Sequence, residues 1–130
     1  MLPGSALPIV TADLTGRTVL VTGANTGLGY AVALKFLRMN VARLVLAVRD
    51  VSKGPEVVRR LADDLSTSDN PNPTLEEVVQ VWECDLASFA SVKRFAQRVD
   101  EELGRLDIAM LNAGVATSKW ATSADGWEVS

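Results

Sequence analysis

The chain has 130 residues, 48% of them hydrophobic and 22% charged, with a formal net charge of −3. That composition describes one globular domain with a modest core, and the acidic balance offers no Lys/Arg footprint for nucleic acid. Histidine is absent, which removes His-based metal sites and Ser-His-Asp catalysis. The lone cysteine, Cys84, removes an internal disulfide and fits a reducing, cytoplasmic setting.

Met1 to Leu14 lacks the positive start of a secretory signal and is broken by Pro3, Gly4 and Pro8, so it is taken as an N-terminal extension. Arg17 to Val21 then predicts a first strand. Leu28, Val32, Phe36 and Met39 recur at helical spacing behind it, with Leu34 and Leu37 widening the apolar surface. Val41 to Val48 is an almost continuous apolar run, the pattern of a parallel strand covered on both faces. It carries Arg43 and is far too short to cross a bilayer, so no membrane span is expected.

Pro55 is expected at the first position of a second helix, with Val57, Val58, Leu61 and Leu65 at intervals of three and four. Ser66 to Pro73 predicts a surface loop, and Val78 to Cys84 a third strand. Ser88 is placed to cap a helix through Val92, Phe95, Val99 and Leu103, which Gly104 would end in a left-handed turn. Ile108 to Leu111 predicts a fourth strand, and Asp107 before it a solvated carboxylate. Val115 to Ser130 contains the turn signal Asp125-Gly126 but completes no helix or strand; Trp120 and Trp127 are expected to be exposed there.

Strands alternating with helices through short connections predict an α/β fold with right-handed crossovers and a parallel sheet in the order 3-2-1-4. Residues 1–130 therefore form the N-terminal part of a Rossmann domain, with residues 1–14 as the extension and 115–130 as an incomplete tail.

The chemistry concentrates where the first strand ends. Thr22-Gly23-Ala24-Asn25-Thr26-Gly27-Leu28-Gly29 joins a strand to a helix start. Three glycines there let backbone N–H groups approach a pyrophosphate, and the helix N-terminus adds partial positive charge. Roughly twenty residues past the last glycine, a carboxylate would hold the ribose hydroxyls of NAD. This chain has Val48 and Arg49 instead, and a guanidinium there can pair with a 2′-phosphate, which favours NADP. Lys53 adds a second positive group.

Taken together, the glycine turn, Cys84-Asp85-Leu86 and Leu111-Asn112-Ala113-Gly114 resemble the short-chain dehydrogenase/reductase family. The spacing of Gly23, Gly27 and Gly29 matches its classical type, and Gly23 to Gly29 with Ala47-Val48-Arg49-Asp50 is most like its retinol-dehydrogenase-like subgroup. The resemblance implies a cofactor site made of Gly23, Asn25, Thr26, Gly27, Leu28, Gly29, Arg49, Lys53, Asp85, Leu86, Asn112, Ala113 and Gly114. Within it, Asp85 would accept from the adenine amino group, Leu86 would give a backbone contact, and Asn112 would order the fourth strand near the cofactor ribose. Thr26 stands where several NADP-preferring relatives have a basic residue, so the NADP expectation rests on Arg49.

The family also implies NADP(H)-dependent hydride transfer between a ketone or aldehyde and an alcohol. It draws the proton from a Tyr followed four residues later by a Lys, with a Ser aligning the substrate. The chain's one tyrosine is Tyr30, in the cofactor helix, and Leu34 lies four residues on. Tyr30 is expected to pack, no catalytic residue is assigned, and the chain is expected to be C-terminally truncated, without the family's oligomerisation helices. The alternative is a noncatalytic NADP-binding module or an inactive truncated product. A Rossmann-like methyltransferase would want an acidic residue near Val48, and a P-loop kinase would need Gly-Lys-Ser/Thr in the turn.

Overall fold

The computed structural model describes residue 8 and residues 11–66 and 74–129. Four parallel strands, β1 (Thr18–Thr22), β2 (Arg43–Val48), β3 (Val79–Glu83) and β4 (Ile108–Met110), form one sheet in the order β3-β2-β1-β4. Helix α1 (Gly27–Arg38) links β1 to β2, and a 3₁₀ turn (Val51–Lys53) leads into α2 (Gly54–Ser66). A single turn, α3 (Leu75–Val78), precedes β3, and α4 (Phe89–Glu102) returns the chain to β4.

Period-two alternation divides the core between the two sheet faces. Val19, Val21, Leu44 and Leu46 pack with Ala33, Phe36 and Leu37 of α1 and Val57, Leu61 and Leu65 of α2. Leu20, Val45, Ala47 and Trp82 pack on the opposite face with Leu103 and the partly buried Val92, Phe95 and Val99 of α4. All six residues of β2 except Arg43 are buried, because helices cover it on both sides. Trp82 is wedged between the ring edge of Phe95, with centroids 6.1 Å apart, and the Arg98 guanidinium 4.0 Å above its face.

Several boundaries differ from expectation. Val78 closes the turn α3 instead of opening β3, and Pro55 is the second residue of α2 because Gly54 enters the helix first. Gly54 is buried against Val81, where a Cβ would stand 3.2 Å from the valine side chain. Gly104 is not left-handed: only Gly16, Gly23, Gly27, Gly126 and Asn40 have positive φ among the described residues. The helix instead ends as Leu103, buried in the α4-side core, donates its N–H to Val99 O and leaves with φ −96° and ψ 72°. Ser88 does cap α4, its Oγ accepting from Ser91 N at 3.3 Å. The expected loop after Ser66 lies outside the described residues, as does most of the N-terminal extension.

Asp107 lies at the exposed surface, as expected, but its carboxylate is engaged. Its side chain is 17% exposed and accepts from Thr18 N at 2.8 Å, Arg17 Nη1 at 3.2 Å, and Arg105 Nη2 at 2.6 Å. Hydrogen bonding from Arg105, then from the Thr18 backbone, holds this carboxyl well below the usual carboxylate range. The tail also folds: an antiparallel bridge joins Thr122 to Glu128, and Ser123 N donates to Trp127 O at 2.7 Å.

Candidate functional site

The turn after β1 is fastened to the end of β4. Thr22, buried at the strand end, accepts from Ala113 N at 2.9 Å through Oγ1, and Asn112 Nδ2 donates to the carbonyls of Thr22 and Gly23 at 3.3 Å each. Gly23 has φ +66°, and a Cβ on it would meet Ala113 Cα at 2.9 Å. Gly27, at φ +59°, then reverses the chain into α1. Gly29 lies directly beneath the Gly23 carbonyl, where a Cβ would also stand 2.6 Å from Asn112 Nδ2. Only a residue without a side chain fits.

At the head of α1, Thr26 is extended and makes no side-chain cap hydrogen bond, and the first turn holds no acidic residue. The leading N–H groups and the positive end of the helix dipole are thus left for an anion.

Helix α2 braces this turn from the side. Arg60 Nη1 donates to Asn25 O at 3.3 Å while its guanidinium lies 4.4 Å from the Tyr30 ring centroid. Tyr30 Oη in turn donates to Asp64 Oδ2, and partial burial followed by that bond pushes the phenol up to about 12. Tyr30 packs as expected, but its hydroxyl is occupied within this brace. Sequence spacing gave no sign of Arg60, because the contact joins residues from two different helices.

At the end of β2, Arg49 is exposed and has no hydrogen bond or ion pair to another described residue. Its neighbour Asp50 accepts from Ser52 N at 3.0 Å and Ser52 Oγ at 2.6 Å, which lowers its pKa, with smaller contributions from the Lys53 and Arg49 charges. At the end of β3, Asp85 Oδ1 accepts from Ala87 N at 3.0 Å, and its own N–H donates to Ser91 Oγ at 2.9 Å. Cys84 is buried beside it, and burial raises its thiol above the ordinary value.

These loops enclose a cleft of about 780 Å³ at the C-terminal ends of the strands. Its walls bring together Gly23, Asn25, Thr26, Arg49, Lys53, Asp85, Leu86, Asn112, Ala113 and Gly114. Gly27, Leu28 and Gly29 are not on the walls: Gly29 is covered by the turn itself, and Leu28 is 71% exposed on α1. The tail contributes Trp127 and three wall residues that sequence reasoning missed, Ser123, Glu128 and Val129. Trp127 is exposed as expected, yet it lines the cleft; Trp120 does not. Asp125-Gly126 was the available signal, since it marks the hairpin that returns the chain.

Comparison with known proteins agrees with this geometry. A family model described as short chain dehydrogenase matches residues 17–129. A short chain dehydrogenase of Arthrobotrys oligospora is 43% identical over 116 residues, covering 89% of this chain and 35% of its own length. Menthone neomenthol reductase from Mentha piperita superposes with a TM-score of 0.63 at 30% identity, over 76% of this chain and 32% of its own. A metagenomic short-chain oxidoreductase in complex with NADP gives 0.58 at 33% identity, over 80% and 41%. The chain spans about a third of the length of these relatives. With the family model covering most of its residues and the fold shared with these solved structures, the chain belongs to the short-chain dehydrogenase family.

Proposed function

We propose that the cleft binds NADP(H) in a short-chain oxidoreductase that moves hydride between a carbonyl and an alcohol. The observation that carries this proposal is the pairing of an uncapped α1 N-terminus with a free Arg49 across one cleft. The first suits a pyrophosphate and the second a 2′-phosphate, because a guanidinium pairs with phosphate oxygens in a fixed planar geometry. The Asp50 carboxylate, which could hold the ribose hydroxyls of NAD, is already hydrogen-bonded to Ser52.

The cofactor would supply hydride chemistry when bound. This chain's residues would do the holding: Gly23, Asn25 and Thr26 beside the phosphates, Arg49 and Lys53 at the 2′-phosphate, Asp85 and Leu86 at the base, and Asn112 to Gly114 near the ribose. No residue of the chain is assigned the proton transfer, since Tyr30 is bonded to Asp64 and lies off the cleft. That same observation favours a second reading, a noncatalytic NADP-binding module. The motifs from Gly23 to Gly29 and Ala47 to Asp50 support the retinol-dehydrogenase-like subgroup, with a lipid or specialised-metabolite carbonyl as substrate class, and we assign the protein to the cytoplasm.

The test is titration of the purified chain with NADPH and NADH, before and after Arg49→Asp. Wild type should favour NADPH, and the substitution should weaken NADPH by roughly tenfold or more while sparing NADH, as expected for loss of a charge-assisted bond. Equal affinities in wild type would remove the NADP assignment, and absence of binding would remove the cofactor site. No reductase turnover is expected from this chain alone.

A further inference from the structure

The residues after β4 do more than leave the sheet. Ala121 to Val129 fold into a closed hairpin: Gly126, at φ +82°, donates its N–H to Ser123 O at 2.9 Å, and Val129 N donates to Ala121 O at 3.0 Å. One carboxylate latches this hairpin to α4. Asp125 Oδ2 accepts from Phe89 N at 2.8 Å, and Phe89 is the first residue of that helix. The bond satisfies one of the donors an α-helix leaves open at its start and sets negative charge against the positive end of the dipole.

The latch brings Trp127 to Phe89, with ring centroids 6.1 Å apart and planes tilted by 54°. Both rings line the cleft with Leu86 and Val129, yet Trp127 remains 64% exposed, Leu86 54% and Phe89 49%. This apolar surface adjoins Asp85, whose backbone carbonyl accepts from Ser88 N at 3.1 Å, in the turn that starts α4. The polar edge contributed by Asp85 and the aromatic face contributed by the hairpin are therefore fixed to the same helix start.

Resting on the cofactor reading above, we infer that the hairpin is the outer wall of the cleft's base-binding end and that Trp127 stacks on the adenine ring. A flat heteroaromatic ring is the ligand group that buries exposed indole and leucine while offering an amino group to a carboxylate at its edge. The hairpin is then part of the nucleotide site.

The probe is 2′,5′-ADP, which carries the base and the 2′-phosphate but no nicotinamide. Trp127 is followed by acrylamide quenching in a Trp120→Phe chain, where Trp82, 2% exposed, contributes little. Bound 2′,5′-ADP should protect Trp127 from acrylamide. Trp127→Ala should weaken 2′,5′-ADP about 5- to 10-fold, the usual effect of losing one base stack, and Trp127→Phe should restore most of it. Asp125→Ala should also weaken binding by freeing the hairpin. If wild type binds the nucleotide while Trp127 stays open to acrylamide, or Trp127→Ala binds as tightly as wild type, the wall is wrong and the cofactor site stands. If wild type binds neither 2′,5′-ADP nor NADPH, the cofactor reading fails and the wall with it.

Discussion

Gly29 sits so close beneath the Gly23 carbonyl that the first turn of α1 and the end of β1 share one contact surface. A methyl group at Gly29 would strike both that carbonyl and Asn112 Nδ2, and neither can yield, because Asn112 is held by the carbonyls of Thr22 and Gly23. Gly29→Ala should cost about 1–3 kcal/mol by overpacking and should weaken NADPH binding with it. Urea denaturation and nucleotide titration of the same variant check both effects.

Thr22 acts at the same junction through its hydroxyl, which ties β1 to the loop after β4 by accepting from Ala113 N. Thr22→Val keeps the shape and removes the acceptor. A loss of about 1 kcal/mol is expected. Ala113 N should then exchange its amide proton faster than in wild type, which hydrogen exchange measures.

The parts legible in the sequence were those that a local pattern reports. The apolar run of β2 announces a strand covered on both faces, and Gly23, Gly27 and Gly29 announce a turn that only glycine can make. The Arg60 bond to Asn25 joins α2 to the glycine turn and the Tyr30 bond to Asp64 joins α1 to α2, so no periodicity encodes them. Gly104 carried the usual helix-stop signal, but burial of Leu103 decided how α4 ends. Asp107 has one local partner, Arg105, but its bonds to Arg17 and Thr18 come from residues far away in the chain. In each case tertiary packing outweighed the local signal.

Tyr30 supplies a spectroscopic test of the α2 brace, since it is the only tyrosine. Its phenol should ionise near 12, against an ordinary value of about 10. The raised value means that its contribution to stability is present below about 10 and is lost as pH rises through the folded pKa. Ultraviolet absorbance during alkaline titration reads the midpoint, and Asp64→Asn should lower it. A midpoint below 10 would instead mark an activated phenol.

Asp107 gives the opposite sign at the acidic end. Its folded pKa lies below the unfolded value of about 3.9, so its contribution is complete above that value and disappears as pH falls toward the folded pKa. Asp107→Asn should lower the thermal midpoint at neutral pH. Its difference from wild type should shrink as pH falls below about 4, which calorimetry across a pH series follows.

The walls of the cleft are drawn from the ends of all four strands and from the tail, segments that come together only in the folded chain. A nucleotide bound there selects the native state by mass action, because the unfolded chain has no such site. At a free concentration one hundred times Kd, that selection adds about 2.7 kcal/mol to the free energy of unfolding. The resistance of this chain to unfolding should therefore rise and fall with the concentration of the proposed nucleotide, whether or not the nucleotide reacts.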